Sequence, residues 1–241
     1  MVSVLCAPGC EDVDEQWFSP AFWSEKAVPV SAGGRGCAWF VDSPKGPLVL
    51  RHYRRGGLVA RFSERRYLFT GYERTRSFAE FRLLSELRDK GLPVPRPIAA
   101  LVVRHGAFSY EAAILIERIE GAKPLPEHPA VNSEALWRRV GQTIARFHHE
   151  GLDHVDLNCD NILVAGDRVF LIDFDRCRLH REKVGSASWK DHNLKRLRRS
   201  VEKRCGQLES GRKDVLWHVL LAGYQGARAY GNTSRKCDMN P

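Results

Sequence analysis

The chain has 241 residues, of which 43% are hydrophobic and 28% charged, and its formal net charge is +9 at pH 7. This composition is typical of a globular protein long enough to bury a core, and no apolar run approaches the roughly 18 residues of a membrane helix. Seven cysteines without a C-x-x-C pair argue against a disulfide framework and a zinc site, and they favour a reducing compartment.

The positive charge is concentrated in two segments. Residues 51–66 contain six Arg against one acid, and residues 181–204 contain nine Lys or Arg against three acids. Such segments suit an anionic membrane surface or a phosphorylated substrate, although most charge runs are simply solvated faces. No aromatic–basic stacking motif or zinc knuckle accompanies them, so we expect no nucleic-acid partner.

Residues 1–30 are predicted to be a lead-in segment that packs against the first sheet. Its prolines exclude one long helix, and its aromatic side chains supply anchors: Trp17, Phe18, Phe22 and Trp23. A glycine cluster with the pattern Gly34-x-Gly36 then enters a strand. The backbone of such a cluster can approach phosphates closely, so Gly34 and Gly36 are candidate cofactor-binding residues. The alternative is an ordinary glycine turn.

Residues 47–53 are predicted to form the next strand, which carries Arg51, and residues 75–90 show the apolar spacing of a helix. Glu80 lies on the apolar face of that helix. A half-buried acid requires a cationic partner, and Arg51 is the natural candidate. The alternatives are a surface cation on an edge strand and a boundary acid with no partner.

Two further strands, at 98–103 and 112–116, are predicted to pair around a turn at 105–106. Leu136, Val140, Ile144 and Phe147 then recur at helical spacing and predict a second amphipathic helix over 133–150. The polar stretch that starts at His154 follows this helix directly along the chain.

The β-prone runs 162–164 and 169–172 flank a Gly-Asp turn at 166–167. A hairpin centred on this turn pairs residues whose numbers sum to about 333. Asn161 is therefore predicted to lie opposite Ile172, at the open end of the hairpin.

That register brings Asn161 next to Asp173. Mg²⁺ accepts a sparse set of oxygen ligands that phosphate and water complete, so Asn161 and Asp173 are candidate metal ligands. Asp156 lies five residues before Asn161 and is a candidate base for an acceptor hydroxyl. The alternative is a polar turn in which Asp and Asn serve only turn chemistry.

The order His154-x-Asp156-x-x-x-x-Asn161, followed by Asp173-Phe174, resembles the protein-kinase pattern H-R-D-x-x-x-x-N and D-F-G. The usual Arg is replaced by Val155 and the usual final Gly by Asp175. The resemblance identifies residues 154–175 as a phosphoryl-transfer centre.

The same resemblance implies an α+β, protein-kinase-like two-lobed fold, with a mostly antiparallel N-lobe sheet, one main N-lobe helix and a short helical C-lobe. We expect the N-lobe over residues 31–118, the C-lobe over 119–225 and a polar tail over 226–241. Glu117 lies at the expected hinge between the lobes, where backbone groups meet adenine, and is therefore a candidate cofactor-binding residue.

After Asp173 only 68 residues remain (241 − 173 = 68). They contain a predicted basic helix over 191–204 and a predicted apolar helix over 215–221, but no A-P-E anchor or activation segment. A protein acceptor is therefore disfavoured, and we expect a small-molecule or glycolipid acceptor.

Several blocks are similar to those of the lipopolysaccharide kinase family, over about residues 34–199. They are Gly34-Arg35-Gly36-x-Ala38-Trp39-Phe40, Leu50-Arg51-His52-Tyr53-Arg54-Arg55-Gly56-Gly57, Asp156-Leu157-Asn158, Asn161-Ile162-Leu163, Ile172-Asp173-Phe174-Asp175 and Trp189 through Ser200. The block from His52 to Gly57 distinguishes this family from other kinases. Arg51 also stands where the family has an Arg and other kinases have a Lys.

The family resemblance implies transfer of the ATP γ-phosphoryl group to the 4-hydroxyl of a 3-deoxy-D-manno-octulosonic acid (Kdo) residue on lipid A. It also implies a peripheral membrane protein that acts at the cytoplasmic face of the bacterial inner membrane. Carried onto this chain, Asp156 is the catalytic base, Asn161 and Asp173 hold Mg²⁺, and Arg51 with Glu80 positions the phosphates.

Two other functions fit parts of the same pattern. One is a small-molecule kinase of the aminoglycoside or metabolite type, which a purely soluble acceptor would distinguish. The other is a non-catalytic nucleotide-binding scaffold, suggested by Arg51 and Asp175. The intact set of Asp156, Asn161 and Asp173 speaks against the scaffold.

Overall fold

The structure is a computed structural model that describes residues 1–30, 38–54, 66–180 and 188–237. The described residues form two compact units. The N-terminal unit comprises Met1–Lys90 and Pro95–Glu120, and the C-terminal unit comprises Gly91–Val94 and the described residues from Gly121 onward. Gly34 and Gly36 lie outside the described residues, as does most of the basic segment before Arg66.

The N-terminal unit contains a seven-stranded sheet whose recorded pairings are all antiparallel. Its strands are β1 (Val2–Cys6), β2 (Ala27–Pro29), β3 (Ala38–Ser43), β4 (Gly46–His52), β5 (Tyr67–Leu68), β6 (Pro97–His105) and β7 (Ser109–Glu117). The order is β1-β6-β7-β4-β3-β2, with β5 paired to β7. Its helices are the short α1 (Pro20–Trp23) and the long α2 (Arg76–Asp89).

The N-terminal segment packs on this sheet, as predicted. Trp17, Phe18 and Trp23 belong to the same buried cluster as Leu50 and Leu115 of the central strands. The segment also contributes β1, which pairs with β6 and was not predicted from the sequence. Edge strands are hard to recognise from sequence because their partner decides them.

The C-terminal unit is mainly helical. Its helices are α3 (Glu134–His149), α4 (Ser188–Arg204) and α5 (Ser210–Cys237), and its strands are β8 (Lys123–Pro124), β9 (Leu152–Asp153), β10 (Ile162–Ala165), β11 (Arg168–Leu171) and β12 (Arg178–Leu179). The strands form a small sheet of order β11-β10-β8 and a separate β12-β9 pair. The α+β prediction, with a helical second lobe, is therefore confirmed.

The β10–β11 hairpin has the predicted register. Ile162 pairs with Leu171, Val164 with Val169 and Ala165 with Arg168, so each pair sums to 333. The two-residue turn contains Gly166 at φ 55°, a left-handed conformation that glycine adopts at little cost.

Helix α5 is longer than predicted. We expected a helix over 215–221 and a polar tail from 226, whereas the helical backbone continues to Cys237. Gly226 does not end it, because a glycine inside a helix costs only about 1 kcal/mol. Within the described ranges, no helix is both long enough and apolar enough to cross a bilayer.

Helices α3 and α5 approach closely because each has a glycine that lies against the backbone of the other. A Cβ atom at Gly141 of α3 would overlap the carbonyl oxygen of Leu220, and one at Gly223 of α5 would overlap that of Arg138. Leu216, Leu220 and Tyr224 form the buried stripe of α5 at i, i+4 and i+8. This contact supports α3, the helix that leads to the loop at His154.

Candidate active site

The loop between β9 and β10 is organised by Asn158. Its Oδ1 accepts hydrogen bonds from the backbone N–H groups of Asp160 (2.9 Å) and Asn161 (3.0 Å), and this caps a single 3₁₀ turn. Its Nδ2 donates to the carbonyl oxygen of Asp156 (3.1 Å). Asn158 belongs to one of the blocks that carry the family resemblance but was not assigned a role, although an Asn directly before a helical turn is a capping signal.

Asn161 is oriented by the same carbonyl group. Its Nδ2 donates to the carbonyl oxygen of Asp156 (3.0 Å), so its Oδ1 is the atom left to bind a cation. The backbone N–H of Ile172 donates to the carbonyl oxygen of Asn161 (3.1 Å), which confirms the predicted position of Asn161 opposite Ile172.

Asp173 follows immediately and has φ 63°, a left-handed conformation that is uncommon outside glycine. Strained backbone of this kind clusters at functional sites. One amide oxygen and one carboxylate at the open end of a hairpin fit the sparse oxygen set of Mg²⁺. The metal role of Asn161 and Asp173 stays a prediction.

His154 is a buried anchor of the loop. Its Nε2 lies 3.0 Å from the carbonyl oxygen of Ile172, and its ring packs on Phe174 with the centroids 5.2 Å apart. Burial lowers the pKa of His154 below its ordinary value of 6.5. The neutral ring therefore donates from Nε2 to Ile172 and ties the Asp156 loop to the residue before Asp173.

Helix α4 holds the other side of this loop. The side chain of Asn193 accepts from the backbone N–H of His154 (3.0 Å) and donates to Asp153 (2.9 Å). About two helical turns further along, the hydroxyl of Ser200 accepts from the backbone N–H of Cys159 (2.9 Å). The backbone of the loop is thus fixed by a helix about 40 residues further along the chain.

Two arginines of α4 reach acids of the loop. The Nη1 of Arg196 lies 3.4 Å from Oδ1 of Asp156, and both side chains are about half exposed, at 48% and 51%. The Nε of Arg204 donates to both carboxylate oxygens of Asp160, at 3.1 and 3.0 Å. Sequence reasoning treated this helix only as a basic surface; the three- and four-residue spacing of its polar side chains was the available signal.

In the N-terminal unit, Glu80 of α2 is buried and accepts hydrogen bonds from the guanidinium of Arg51 and the hydroxyl of Tyr53. The predicted Arg51–Glu80 pair is therefore confirmed, and β4 is an inner strand rather than an edge strand. Burial, reinforced by the charge of Glu80, raises the pKa of Tyr53 well above its ordinary value. Tyr53 is thus a neutral donor, and sequence reasoning missed it.

Glu117 ends β7. Its backbone N–H donates to the carbonyl oxygen of Arg96 (2.8 Å), and its Oε2 accepts from the backbone N–H of Arg96 (3.3 Å). The Nη1 of Arg88 lies 3.9 Å from the same carboxylate. These contacts hold the end of β7, where the chain passes toward the C-terminal unit. The assignment of Glu117 to nucleotide binding stays a prediction, as do those of Gly34 and Gly36.

Comparison with known sequences gives one family and relatives of similar length. The model of the "Lipopolysaccharide kinase (Kdo/WaaP) family" matches residues 20–224. The 3-deoxy-D-manno-octulosonic acid kinase of Stenotrophomonas maltophilia (strain K279a) is 53% identical over 201 residues, which cover 82% of this chain and 79% of the relative. The enzyme of that name from Xanthomonas axonopodis pv. citri (strain 306) is 53% identical over 204 residues, covering 84% and 80%.

Solved structures agree in fold at low sequence identity. WaaP, solved in complex with acyl carrier protein, has a TM-score of 0.55 at 13% identity, covering 99% of this chain and 100% of that one. A glucosamine kinase, solved with glucosamine, ADP and inorganic phosphate, has a TM-score of 0.52 at 10% identity, covering 98% and 71%. These similarities confirm the predicted kinase-like fold. With the family match and the close relatives, they establish that the chain belongs to the lipopolysaccharide kinase (Kdo/WaaP) family and is a phosphotransferase of lipopolysaccharide biosynthesis.

Proposed function

We propose that this protein transfers the γ-phosphoryl group of ATP to the 4-hydroxyl of a Kdo residue on lipid A, with Kdo–lipid IVA as the acceptor. The observation that carries the proposal is a pair of hydrogen bonds at the open end of the β10–β11 hairpin, which join Asn161 to Asp156 and to Ile172, the residue before Asp173. Relatives about 50% identical that bear the name Kdo kinase support this choice of acceptor.

In this mechanism Asp156 acts as the base. It accepts the proton of the acceptor hydroxyl as that oxygen bonds to the γ-phosphorus, and the bond from the γ-phosphorus to the bridging oxygen breaks with its electron pair leaving on ADP. Asn161 and Asp173 would hold Mg²⁺, which supplies neutralising charge to the phosphates when bound. The hydrogen bonds around Asn158 keep Asp156 and Asn161 in place, so the chain contributes positioning and electrostatics rather than a covalent intermediate.

Arg51 is proposed to grip the phosphates of the nucleotide. Its guanidinium is oriented by Glu80 and lies 3.4 Å from the hydroxyl of Tyr53. A fixed guanidinium can bind phosphate through two parallel hydrogen bonds, which a lysine ammonium cannot do. Arg51 is therefore proposed to take the place of the usual kinase lysine, with Glu80 as its orienting partner. Gly34, Gly36 and Glu117 are also proposed to bind the nucleotide, on the strength of their positions in the kinase-like sequence pattern.

The test of the function is transfer of labelled phosphate from ATP, with Kdo–lipid IVA and a panel of soluble sugars as acceptors and Asp156→Ala as the control variant. We expect label on the glycolipid and at least a 1,000-fold lower rate with Asp156→Ala, about the size of the loss of a catalytic acid–base group together with its electrostatic role. If only a soluble sugar is labelled, the protein is a kinase whose acceptor is a small metabolite and not Kdo–lipid IVA. No transfer to any acceptor would overturn the proposal.

We also propose that the protein works peripherally at the cytoplasmic face of the inner membrane. Arg196 contacts Asp156, and Arg198 contacts Asp214 and Glu202 at 2.5 Å each, so neither arginine is assigned to lipid. Lys195 and Arg199 of α4 are exposed and suited to anionic lipid, at about 1 kcal/mol per well-placed charge.

The membrane proposal is tested by sedimentation with vesicles rich in phosphatidylglycerol. Lys195→Glu combined with Arg199→Glu should weaken binding about 10-fold or more. Lys26→Glu combined with Arg74→Glu makes the same change in net charge at exposed positions of the N-terminal unit and is the matched control. Equal binding by the α4 variant and the wild type would refute a membrane role for this surface.

A further inference from the structure

The loop that carries Asp156 has no positive charge of its own. Between His154 and Ile162 there is no Lys or Arg, whereas Asp156 and Asp160 are both acidic. Phosphoryl transfer moves a strongly negative group toward the base, and its transition state is stabilised by cations placed beside the transferred oxygens. A cation from another element that lies next to Asp156 would add to the charge that Mg²⁺ and Arg51 are proposed to supply.

Arg196 is placed to be that cation. Its Nη1 lies 3.4 Å from Oδ1 of Asp156. The helix that carries it is fixed to the loop on both sides, by Asn193 at His154 and by Ser200 at Cys159. These bonds hold the Arg196 position of α4 next to the loop, and the contact with Asp156 then directs the guanidinium to the carboxylate.

The geometry of this pair differs from that of a closed ion pair. Arg204 donates to both oxygens of Asp160 at about 3 Å, but Arg196 reaches a single oxygen of Asp156 at a longer distance. Both members of the Arg196–Asp156 pair are half exposed, and such pairs contribute little to folding stability. A guanidinium has five N–H donors, so one weak contact leaves Arg196 able to bind an anion that arrives at Asp156.

We propose that Arg196 is a further catalytic residue, which binds the transferring phosphoryl group while it stays next to the base Asp156. This inference rests on the kinase activity proposed above. As Asp156 takes the proton of the acceptor hydroxyl, negative charge spreads over the equatorial oxygens of the phosphoryl group. The guanidinium donates hydrogen bonds to those oxygens until the new O–P bond has formed and ADP leaves with the electron pair of the old one.

The test compares Arg196→Ala and Arg196→Lys with the wild type in the phosphate-transfer assay. Removal of one donor to a transition-state oxyanion typically lowers kcat by 100-fold or more. We therefore expect Arg196→Ala to lower kcat about 100-fold with little change in KM for ATP, and Arg196→Lys to recover part of the loss. Added guanidinium ion at tens of millimolar should partly restore Arg196→Ala. Lys203→Ala, an exposed cation of the same helix, is the control and should keep wild-type kcat.

A binding measurement separates this role from a structural one. ADP with magnesium and aluminium fluoride mimics the transferring phosphoryl group, and ADP with magnesium alone does not. By calorimetry, Arg196→Ala should weaken the aluminium fluoride complex about 100-fold and leave ADP binding within about 3-fold of wild type. Its melting temperature should equal that of Lys203→Ala.

Each outcome decides the inference. If the wild type transfers phosphate and Arg196→Ala is equally active, the kinase stands and the role of Arg196 is refuted. The role is also refuted by a combination of two results. Arg196→Ala loses ADP binding or has a lowered melting temperature, and neither Arg196→Lys nor added guanidinium ion recovers any activity. If the wild type itself transfers no phosphate, the proposed function fails first.

Discussion

The imidazole of His154 and the carbonyl of Ile172 form a partly buried hydrogen bond, with Nε2 and the oxygen 3.0 Å apart. This bond joins the loop of Asp156 to the residue that precedes Asp173. The proposed base and one proposed metal ligand are thus connected through one neutral side chain, although 17 positions separate Asp156 from Asp173 in the sequence (173 − 156 = 17).

Stability should fall on acidification because of His154. Its pKa is lowered in the folded protein, so the unfolded chain binds the proton more readily as the pH falls below 6.5. The stability that the neutral ring contributes is therefore present above pH 6.5 and is lost as the pH falls toward the folded-state pKa. His154→Gln, which keeps an N–H donor, should reduce the drop in melting temperature between pH 7 and pH 5. His218→Gln, at an exposed position, should leave that drop unchanged.

Close packing of α3 on α5 should make Gly141 intolerant of a methyl group. Gly141→Ala places Cβ against the backbone carbonyl of Leu220, which cannot rotate away, and we expect a loss of about 3 kcal/mol in the free energy of unfolding. Gly226→Ala lies in the same pair of helices with open space at the Cβ position, and it should stabilise by up to about 1 kcal/mol. Urea titrations followed by circular dichroism measure both; equal effects would contradict the close contact.

Arg51, Tyr53 and Glu80 should behave as one coupled group. Glu80→Ala leaves the guanidinium and the phenol without their shared acceptor, and we expect it to destabilise by about 3–4 kcal/mol. Tyr53→Phe removes one donor and should cost about 1 kcal/mol. In a double-mutant cycle, Tyr53→Phe should cost less in the Glu80→Ala background than in the wild type, because the contact is already lost. Additive effects would argue that Tyr53 and Glu80 are independent.

The cap formed by Asn158 should matter for activity as well as stability. Asn158→Ala leaves two backbone N–H groups of the 3₁₀ turn without their acceptor and should cost about 1–2 kcal/mol. Asn158→Asp keeps the accepting oxygen but loses the donor to the Asp156 carbonyl, so it should keep most of the stability and still lower kcat. Comparison of thermal unfolding with phosphate transfer for the two variants checks this. An Asn158→Asp protein with full activity would show that the contact to Asp156 is dispensable.

Local features of the fold were predictable because they depend on neighbouring residues. The Gly-Asp turn at 166–167 and its β-prone flanks predicted the β10–β11 register and hence the position of Asn161. The apolar face of α2 predicted a half-buried Glu80 with a cationic partner, and the pair with Arg51 is present. Turn chemistry and helical periodicity are short-range properties, and they can be read from a single sequence.

Only the tertiary structure decided which distant side chains support those local elements. The basic residues of α4 looked alike in the sequence, yet Arg196 and Arg204 form ion pairs with Asp156 and Asp160 of the catalytic loop. Tyr53 contacts Glu80 although 27 positions separate the two residues in the sequence (80 − 53 = 27). The sequence by itself therefore determined the kinase-like elements and the candidate residues Asp156, Asn161 and Asp173. The contacts of α4 with the loop that carries Asp156 join segments about 40 positions apart, which local propensity does not encode.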